Sequence, residues 1–447
     1  MTVKRTFIAT FVALACAAPA VQAIGLFDAY HAARESDPTW RAALKENEAG
    51  QENRNLGRAG LLPQISASGY KYKVTGDRKQ PYLGRTFTED LDYTSKSASV
   101  QLSQPLFNMQ RLAEYRQGNA RAEYSDAVLD QKLQDLAVRL SGAYMDVLLA
   151  RDSIDLAEAK LKAISEQLAA AKRMYELGDG TVTDVDEATA RRDIADAQRI
   201  EAEDRLQVSL KTLQELIGET PRSLAVLSGD AFVLPTMQDS AAMWTERALA
   251  NNPEIRAQRK AVEISDREID RSKAGHYPTV DLVGSFSKAD SDSVTTVNQR
   301  TTSRSIGVQV NIPLFSGGYT SALTRQAAAN RDKAKEDLEA AISKIRTEVV
   351  RQYTGTTTGA SKVRALDLAV KSSERSLKST LMGFKAGLRT NADILNAQEQ
   401  LYQSRRDLAE AKYIYLISRV RLKAAAGELS EADIIEVDRY FSAEAAF

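Results

Sequence analysis

The most specific short pattern in this chain is Gly-x-x-Thr-x-x-Asp, and it occurs twice. The first copy contains Gly178, Thr181 and Asp184, and the second copy starts at Gly387. A glycine readily adopts the left-handed conformation that ends many helices. A Thr three residues before an acidic residue is typical of a capping box at the start of the next helix. The pattern therefore predicts that Asp184 and its counterpart at position 393 cap helices that follow tight turns.

Other residue types with chemical potential are few and scattered. One Cys and two His, His31 and His276, are too few and too far apart for a Cys/His zinc cluster. There is no recognisable Ser/His/Asp set or phosphate loop, since the Gly pair at 317–318 stands alone between a strand pattern and a helix pattern. Lys and Arg total 60, as do Asp and Glu, whereas a nucleic-acid binder carries a basic excess. We expect no enzyme activity and no nucleic-acid partner.

Residues 1–23 have the pattern of an export signal. Two basic residues precede an apolar run over 7–18, and small residues precede a cleavage site between Ala23 and Ile24. The run is too short to span a bilayer as a helix. A lipoprotein signal cleaved before Cys16 is the alternative, although the residues before this Cys match such a signal poorly. A signal peptide is therefore predicted, and lipidation of Cys16 stays open.

The sequence contains two copies of one repeat unit. Landmarks recur in the same order, with Asp37-Pro38 and Asn252-Pro253 near the start of the two copies and Gly218 and Gly427 near their ends. Ordered Pro and Gly landmarks indicate an internal duplication rather than chance similarity of two Ala-rich segments. The predicted organisation is a first repeat at 24–218, an inter-repeat link at 219–243, a second repeat at 244–428 and a C-terminal tail at 429–447.

Each repeat contains two segments in which one side of the strand pattern is apolar and the other is small and polar. In the first segment the apolar set includes Tyr70, Tyr72 and Val74. A soluble sandwich would show the same alternation, but each segment has about the ten residues that a tilted strand needs to cross a membrane. The predicted strands are about 61–76, 94–107, 277–290 and 303–314, with polar loops at about 77–93 and 291–302.

Four strands are too few to close a membrane barrel, and lipid does not tolerate an open sheet edge. If these strands lie in a membrane, neighbouring copies of the chain must complete the ring. A barrel of about eight strands is normally filled by its own side chains. A conducting pore therefore favours twelve strands from three copies over eight strands from two.

Very long helix patterns follow the strands. Residues 109–177 contain no Pro and only two Gly, and Leu133, Leu136 and Leu140 illustrate an apolar spacing of three and four. A helix of that length spans ~100 Å at ~1.5 Å per residue. An ordinary coiled-coil rod would fit this pattern. The direct passage from strand to long helix favours a helical tube.

Strand pairs followed by very long helices, in two copies with Gly-x-x-Thr-x-x-Asp turns, resemble the TolC family of outer-membrane channel-tunnels. The resemblance covers nearly the whole mature chain and is most specific at 61–64, 387–393 and 413–427. It implies a homotrimer with a shared twelve-stranded β-barrel in the outer membrane and a long α-helical barrel in the periplasm. The link and the tail would form an equatorial belt. The partners would be outer-membrane lipid, a periplasmic adaptor protein and an inner-membrane ABC transporter, and the resemblance implies no cofactor.

The resemblance also implies a periplasmic gate near the two turns. By position, Arg389 and Asp393 correspond to an Arg and an Asp that hold the family prototype closed. Thr183 and Asp184 correspond to a Thr-Asp pair on the neighbouring turn. An ion pair between Arg389 and Asp184 is therefore expected.

Two gate positions depart from the family pattern. Phe384 replaces a Tyr and has no hydroxyl to donate, and Asn396 replaces a second Asp and has no charge. The constriction would then carry only the carboxylates of Asp393. We expect a weaker closed state and a less cation-attracting pore than in the family prototype.

The resemblance further implies that an adaptor docks on the turns. It is closest to the type I secretion branch of the family, in which the duct passively conducts an exported protein. A multidrug-efflux duct is the alternative within this class, and a soluble periplasmic coiled-coil adaptor is the alternative from another class. The residues expected at the docking turns are Gly178, Asp179, Gly387 and Leu388.

Overall fold

The computed structural model describes residues 23–228, 232, 234, 235, 237, 239–293 and 296–446. The chain divides into two compact units. The first, here called the helical unit, contains the described residues of Met1–Arg41, Leu133–Ala248 and Glu348–Phe447. The second, here called the sheet unit, contains those of Ala42–Lys132 and Leu249–Thr347.

Helices and strands follow one another in the same order twice, which confirms the predicted duplication of a strand, strand, long helix unit. The long helices of the two copies have 68 and 67 residues, and each following helix has 36. Among the described residues, no helix is apolar over a sufficient length to cross a membrane. The helices are α1 (Leu26–Ser36), α2 (Pro38–Ala59), α3 (Met109–Glu176), α4 (Val182–Ile217), α5 (Ala241–Asn251), α6 (Pro253–Lys273), α7 (Tyr319–Lys385), α8 (Asn391–Ala426) and α9 (Glu431–Asp438). The strands are β1 (Gln64–Tyr82), β2 (Arg85–Phe107), β3 (Ser223–Leu227), β4 (Thr279–Ser293), β5 (Thr296–Asn311) and β6 (Phe441–Ala446).

The sheet unit contains one antiparallel sheet with the strand order β1-β2-β4-β5. The two hairpins meet where β2 pairs with β4. In the described chain β1 and β5 are edge strands, because each has a neighbour on one side only.

The strands are longer than the sequence pattern predicted. The expected loop at 77–93 is strand, and the first hairpin closes through Leu83 and Gly84, which have positive φ angles of 45° and 73°. Two central residues with positive φ are the geometry of a tight hairpin turn that matches strand twist. Most of the expected loop at 291–302 is also strand. Both segments are polar, and polar side chains on an exposed hairpin hide its strand pattern.

Strand register gives the sheet two chemically different faces near the ends that join the helices. Residues directly opposite each other share a face, and alternate residues along a strand do too. One face, here called the apolar face, carries Ile65, Val100, Leu102, Leu282, Phe286, Ile306 and Val308. The other face, here called the serine face, carries Ser66, Ser68, Ser99, Ser285, Ser287 and Ser305. On the serine face, the hydroxyls of Ser68 and Ser99 lie 2.9 Å apart, and those of Ser285 and Ser305 lie 2.7 Å apart.

The expectation of one apolar side per strand is wrong for the hairpin half of β1. Tyr70 lies opposite Ser97 and Tyr72 lies opposite Ser95, so both rings are on the serine face. The two rings stack with centroids 4.8 Å apart. Alternation within one strand cannot reveal which face is shared with the next strand, because register decides that.

In the helical unit, α3, α4 and α8 pack through small and aliphatic side chains. Ile164, Ala188, Ala195 and Leu395 form a cluster in which no residue is more than 2% exposed. The alanines allow close packing of the helices. This cluster lies near the chain reversals that join α3 to α4 and α7 to α8.

The link and the tail meet in a small sheet of the helical unit, because β3 pairs with β6. The tail also contacts the first helix. The α1 helix has no cap from its own Gly25, and Leu26 N donates to Asp438 Oδ1 at 2.6 Å. An added Cβ at Gly25 would lie 2.9 Å from the same oxygen. Burial raises the pKa of Asp438, and the hydrogen bonds from Leu26 N and Phe27 N offset part of this increase.

Candidate functional site: the two helix-hairpin turns

The turn between α3 and α4, here called turn one, ends α3 with a left-handed glycine. Gly178 has φ of 83°. Gly178 N donates to Tyr175 O at 3.1 Å, and Asp179 N donates to Met174 O at 2.9 Å. This pair of bonds is a Schellman motif, which satisfies carbonyls that the helix end would otherwise leave unpaired.

The turn between α7 and α8, here called turn two, repeats this backbone geometry. Gly387 has φ of 73°. Its N–H donates to Phe384 O at 2.9 Å, and Leu388 N donates to Gly383 O at 2.8 Å. The predicted glycine helix stops are thus confirmed in both copies.

Both following helices begin with a capping box, as predicted. In turn one, Asp184 N donates to Thr181 Oγ1 at 3.2 Å, and the Asp184 carboxylate accepts from Thr181 N at 3.2 Å. In turn two, the corresponding distances between Asp393 and Thr390 are 3.2 Å and 2.8 Å. The capping role of the two Asp residues is confirmed, and it fixes their carboxylates at the helix starts.

The carboxyl of Asp393 is also electrostatically stabilised. Backbone and side-chain hydrogen bonds from Thr390, with a contribution from the Arg389 charge, lower the pKa of Asp393 below its ordinary value of 3.8. Arg389 Nη1 lies 3.8 Å from Asp393 Oδ1. Turn two therefore holds an ionised carboxylate beside a guanidinium.

The expected ion pair between Arg389 and Asp184 is not formed within the described part of the chain. Arg389 directly precedes the helix cap, so its shortest reach is to Asp393 on its own turn. Its side chain is 60% exposed. Gly383 gives it room, because an added Cβ there would lie 2.9 Å from Arg389 Cγ.

The other predicted gate residues occupy different environments. Phe384 is half-buried in the last turn of α7, and Thr183 is exposed at the second position of α4. Asn396 is exposed on α8, where its Oδ1 accepts from Arg191 Nη2 of α4 at 2.9 Å. The amide that replaces the family's carboxylate thus accepts a hydrogen bond from an arginine of α4.

The predicted docking residues are all exposed at the two turns. Gly178 and Asp179 lie in turn one, and Gly387 and Leu388 lie in turn two. Leu388 is 81% exposed, and Leu177, directly before Gly178, is 78% exposed. Each turn therefore presents an exposed leucine, and turn one adds the acid Asp179.

Sequence reasoning missed Asn391, the first residue of α8. It is only 6% exposed. Its Oδ1 accepts a hydrogen bond from Gln167 Nε2 of α3, and its Nδ2 donates to Asp184 O at 3.5 Å. The only signal in the sequence is that Asn391 stands where the first copy has the apolar Val182.

A second missed link lies further along the same helices. Lys160 of α3 is nearly buried, with 9% of its side chain exposed, and its Nζ lies 2.5 Å from Glu399 Oε2 of α8. Lys160 Nζ also donates to Gln198 Oε1 of α4 at 2.9 Å. This charge pair joins three helices, and helix spacing alone could not assign it.

The predicted signal-peptide boundary lies at the edge of the described residues. Residues 1–22, including Cys16, are outside them. Ile24 N donates to Ser223 O at 3.1 Å, and Ala225 N donates to Ile24 O at 3.2 Å. Ile24, the residue after Ala23, is therefore attached to strand β3.

A model of the family described as "Outer membrane efflux protein" matches residues 29–219 and 244–428. The chain belongs to this family. The predicted resemblance to TolC is confirmed, and this family member is an outer-membrane protein that extends into the periplasm. The two matched segments correspond to the two copies of the strand, strand, long helix unit.

Individual relatives agree with the family assignment. The chain is 39% identical to "Alkaline protease secretion protein AprF" of Pseudomonas aeruginosa, over 92% of this chain and 86% of the relative. It is 35% identical to "Proteases secretion protein PrtF" of Dickeya chrysanthemi, over 98% and 96% of the two chains. The Campylobacter jejuni CmeC outer membrane channel has the same fold, with a TM-score of 0.78, 16% identity and coverage of 93% and 90%.

Proposed function

We propose that this family member is the outer-membrane exit duct of a type I secretion system and that it conducts exported protein passively, without catalysis. The observation that carries the proposal is similarity over nearly the full chain to two relatives named for protease secretion. Secreted proteases are therefore the first cargo to test. The energy for export would come from an inner-membrane ABC transporter, coupled through a periplasmic adaptor.

The sheet supports a duct made of three copies. Strands β1 and β5 each have an unpaired edge in the described chain, and an unpaired edge is not tolerated in lipid. Pairing β1 of one copy with β5 of the next would satisfy both edges. Three copies would then close a ring of twelve strands, with the serine face towards a polar pore and the apolar face towards lipid.

Opening of the periplasmic gate would begin at turn two. Within one chain, the Gln167–Asn391 and Lys160–Glu399 links hold α8 to α3. Arg389 is more exposed than these groups, and exposed ion pairs contribute little stability. Contacts of Arg389 with a neighbouring copy, including that copy's Asp184, would therefore break first when an adaptor docks on the turns.

The test uses a Pseudomonas aeruginosa strain that lacks AprF. Expression of this chain is expected to restore release of alkaline protease into the medium, measured as protease activity in the culture supernatant. Light scattering of the purified chain in detergent is expected to give the mass of three copies. Protease that stays in the cells while the chain is present as trimers in the outer membrane would contradict the secretion proposal.

A parallel assay separates the multidrug-efflux alternative. The same chain is expressed in a strain that lacks the outer-membrane channel of its drug-efflux system, and drug susceptibility is measured. Restored drug resistance without restored protease release would favour efflux. The secretion proposal expects the reverse result.

A further inference from the structure

A row of charged side chains crosses the apolar face of the sheet towards the hairpin turns. Lys71 lies opposite Lys96, Lys96 lies opposite Asp290, and Asp290 lies opposite Arg300. Because directly opposed residues share a face, the four side chains form one continuous row across all four strands. The row is strongly basic, with three cations and one carboxylate.

Neighbouring rungs add further cations to the same face. Lys73 is two residues from Lys71, Lys288 lies opposite Ala98, and Arg304 lies opposite Phe286. We call the whole set the basic band. It consists of Lys71, Lys73, Lys96, Lys288, Arg300 and Arg304.

The acidic side chains on this face neutralise only part of the basic band. Asp290 Oδ2 lies 3.1 Å from Lys96 Nζ and 3.1 Å from Arg300 Nε. Lys73 Nζ lies 3.2 Å from Asp92 Oδ1. Among the side chains that the structure describes, no carboxylate pairs with the remaining cations, which are Lys71, Lys288 and Arg304.

The band lies at the end of an apolar surface of membrane thickness. Between the basic band and the helices, β5 and the residue after it carry a row of exposed apolar side chains. These are Ile306, Val308, Val310 and Ile312. From Ile312 back to Arg304 the strand covers about 27 Å at ~3.4 Å per residue. A strand tilted by ~40° converts this length into a height of ~20 Å, close to the ~25 Å of the apolar band of an outer-membrane protein. The cations therefore lie at the edge of the apolar region away from the helices, where long basic side chains extend to the headgroups.

The aromatic and basic side chains also have a defined arrangement at this level. The Arg304 guanidinium lies 5.6 Å from the centroid of the Phe286 ring. Phe286 belongs to the apolar face, and Arg304 lies directly opposite it. The charge of Arg304 therefore lies at the border between hydrocarbon and headgroups. The serine face lies on the other side of the sheet, and the band therefore does not line a pore.

We propose that the basic band binds phosphate groups of anionic lipid headgroups in the outer leaflet of the outer membrane. Lys and Arg bind phosphate through charge-assisted hydrogen bonds. On each copy, three cations have no carboxylate partner among the described side chains, and they give the band an excess of positive charge at the height of the headgroups. The proposal depends on the outer-membrane location and not on which cargo the duct conducts.

The test measures lipid binding by the purified full-length chain in non-ionic detergent, with native mass spectrometry as the readout. The probes are lipid A with two phosphates, lipid A with one phosphate, and lipid A without phosphate. Affinity is expected to fall with each phosphate removed and with rising salt concentration. Equal affinity for the three lipids would overturn the proposal without any variant being needed.

A charge-matched pair of variants locates the site. K71Q/R304Q removes two cations of the band that pair with no carboxylate among the described side chains, and R78Q/R85Q removes two cations from the opposite face of the same sheet. At ~1 kcal/mol for each basic residue near an anionic surface, the first variant is expected to bind two-phosphate lipid A at least tenfold more weakly. The second is expected to stay within about twofold of wild type. Equal losses in both variants, or no loss in the first, would refute the assignment. Light scattering of each variant confirms that its assembly is unchanged.

Discussion

Turn one and turn two have the same backbone and different chemistry. Both have a left-handed glycine, a Schellman pair and a Thr-Asp capping box. Between glycine and threonine, however, turn one has Asp179 and Gly180, whereas turn two has Leu388 and Arg389. The duplicated residues fix the chain reversal, and the two positions between them are where the copies acquired different surfaces.

The difference extends to the end of the preceding helix. In turn one, an added Cβ at Gly180 would lie 3.1 Å from Met174 Cβ. In turn two, the residue that corresponds to Met174 is Gly383, and it leaves room for Arg389. Turn one thus pairs the large Met174 with Gly180, whereas turn two pairs Gly383 with the large Arg389. The arginine of turn two thus depends on a second glycine, Gly383, six positions before it in the sequence.

The largest expected effect separates the two turns in function. Arg389→Ala is expected to raise the conductance of the closed channel in planar bilayers by roughly severalfold, because it removes the exposed guanidinium from turn two. Asp179→Ala removes an exposed charge from turn one and is expected to leave the conductance unchanged. An unchanged closed-state conductance in Arg389→Ala would remove Arg389 from the gate.

A stability difference is expected at the first residue of the following helices. Asn391→Leu is expected to cost about 1–3 kcal/mol, since Gln167 and the Asp184 carbonyl lose a buried partner. Val182→Ala at the matching position of α4 is expected to have little effect, because Val182 is 55% exposed. Thermal unfolding followed by circular dichroism measures both. Equal losses would show that the Asn391 bonds do not stabilise the helical unit.

Substitutions at positions 383 and 389 are expected to have coupled effects on stability, because the two residues are in contact. Gly383→Met is expected to destabilise the helical unit by about 1–3 kcal/mol, because the new side chain overlaps Arg389. The double variant G383M/R389G recreates the pair found in turn one and is expected to recover most of this loss. A double-mutant cycle of unfolding free energies tests the coupling. Additive effects of the two substitutions would contradict it.

The smallest expected effect concerns pH. The pKa of Asp393 is lowered in the folded chain, so its contribution to stability is present above its ordinary value of 3.8 and is lost as pH falls below it. Asp393→Asn is therefore expected to lower the unfolding temperature slightly at pH 7, and the difference from wild type is expected to shrink as the pH falls below 3.8. Asp179→Asn on turn one is the matched control. A difference that stays constant across this range would exclude the carboxylate charge as its cause.

The sequence was informative where the determining interactions are local. A Schellman glycine and a capping box involve residues within a few positions of one another, so Gly178 and Asp184 could be assigned from spacing alone. The repeat order and the long helices followed from Pro and Gly landmarks in the same way.

Interactions that depend on register or on distant packing were not predictable. Tyr70 lies on the serine face because of how β1 pairs with β2, and alternation within β1 contains no information about that pairing. The strand segments within 77–93 and 291–302 were predicted as loops, because their polar side chains show no apolar alternation and only strand pairing identifies them as strand. Asn391 could be noticed as an exception to the repeat, but its partner Gln167 is 224 positions away in the chain.

The contact between Asp438 and the start of α1 joins two residues that lie 412 positions apart in the sequence. A ribosome makes a polypeptide from its amino-terminal end, so α1 is made long before the carboxylate that accepts the N–H of Leu26. A chain that stopped before Asp438 would leave this N–H without its acceptor. The start of α1 can therefore reach its final hydrogen bonding only after α9, which ends at Asp438, has been made.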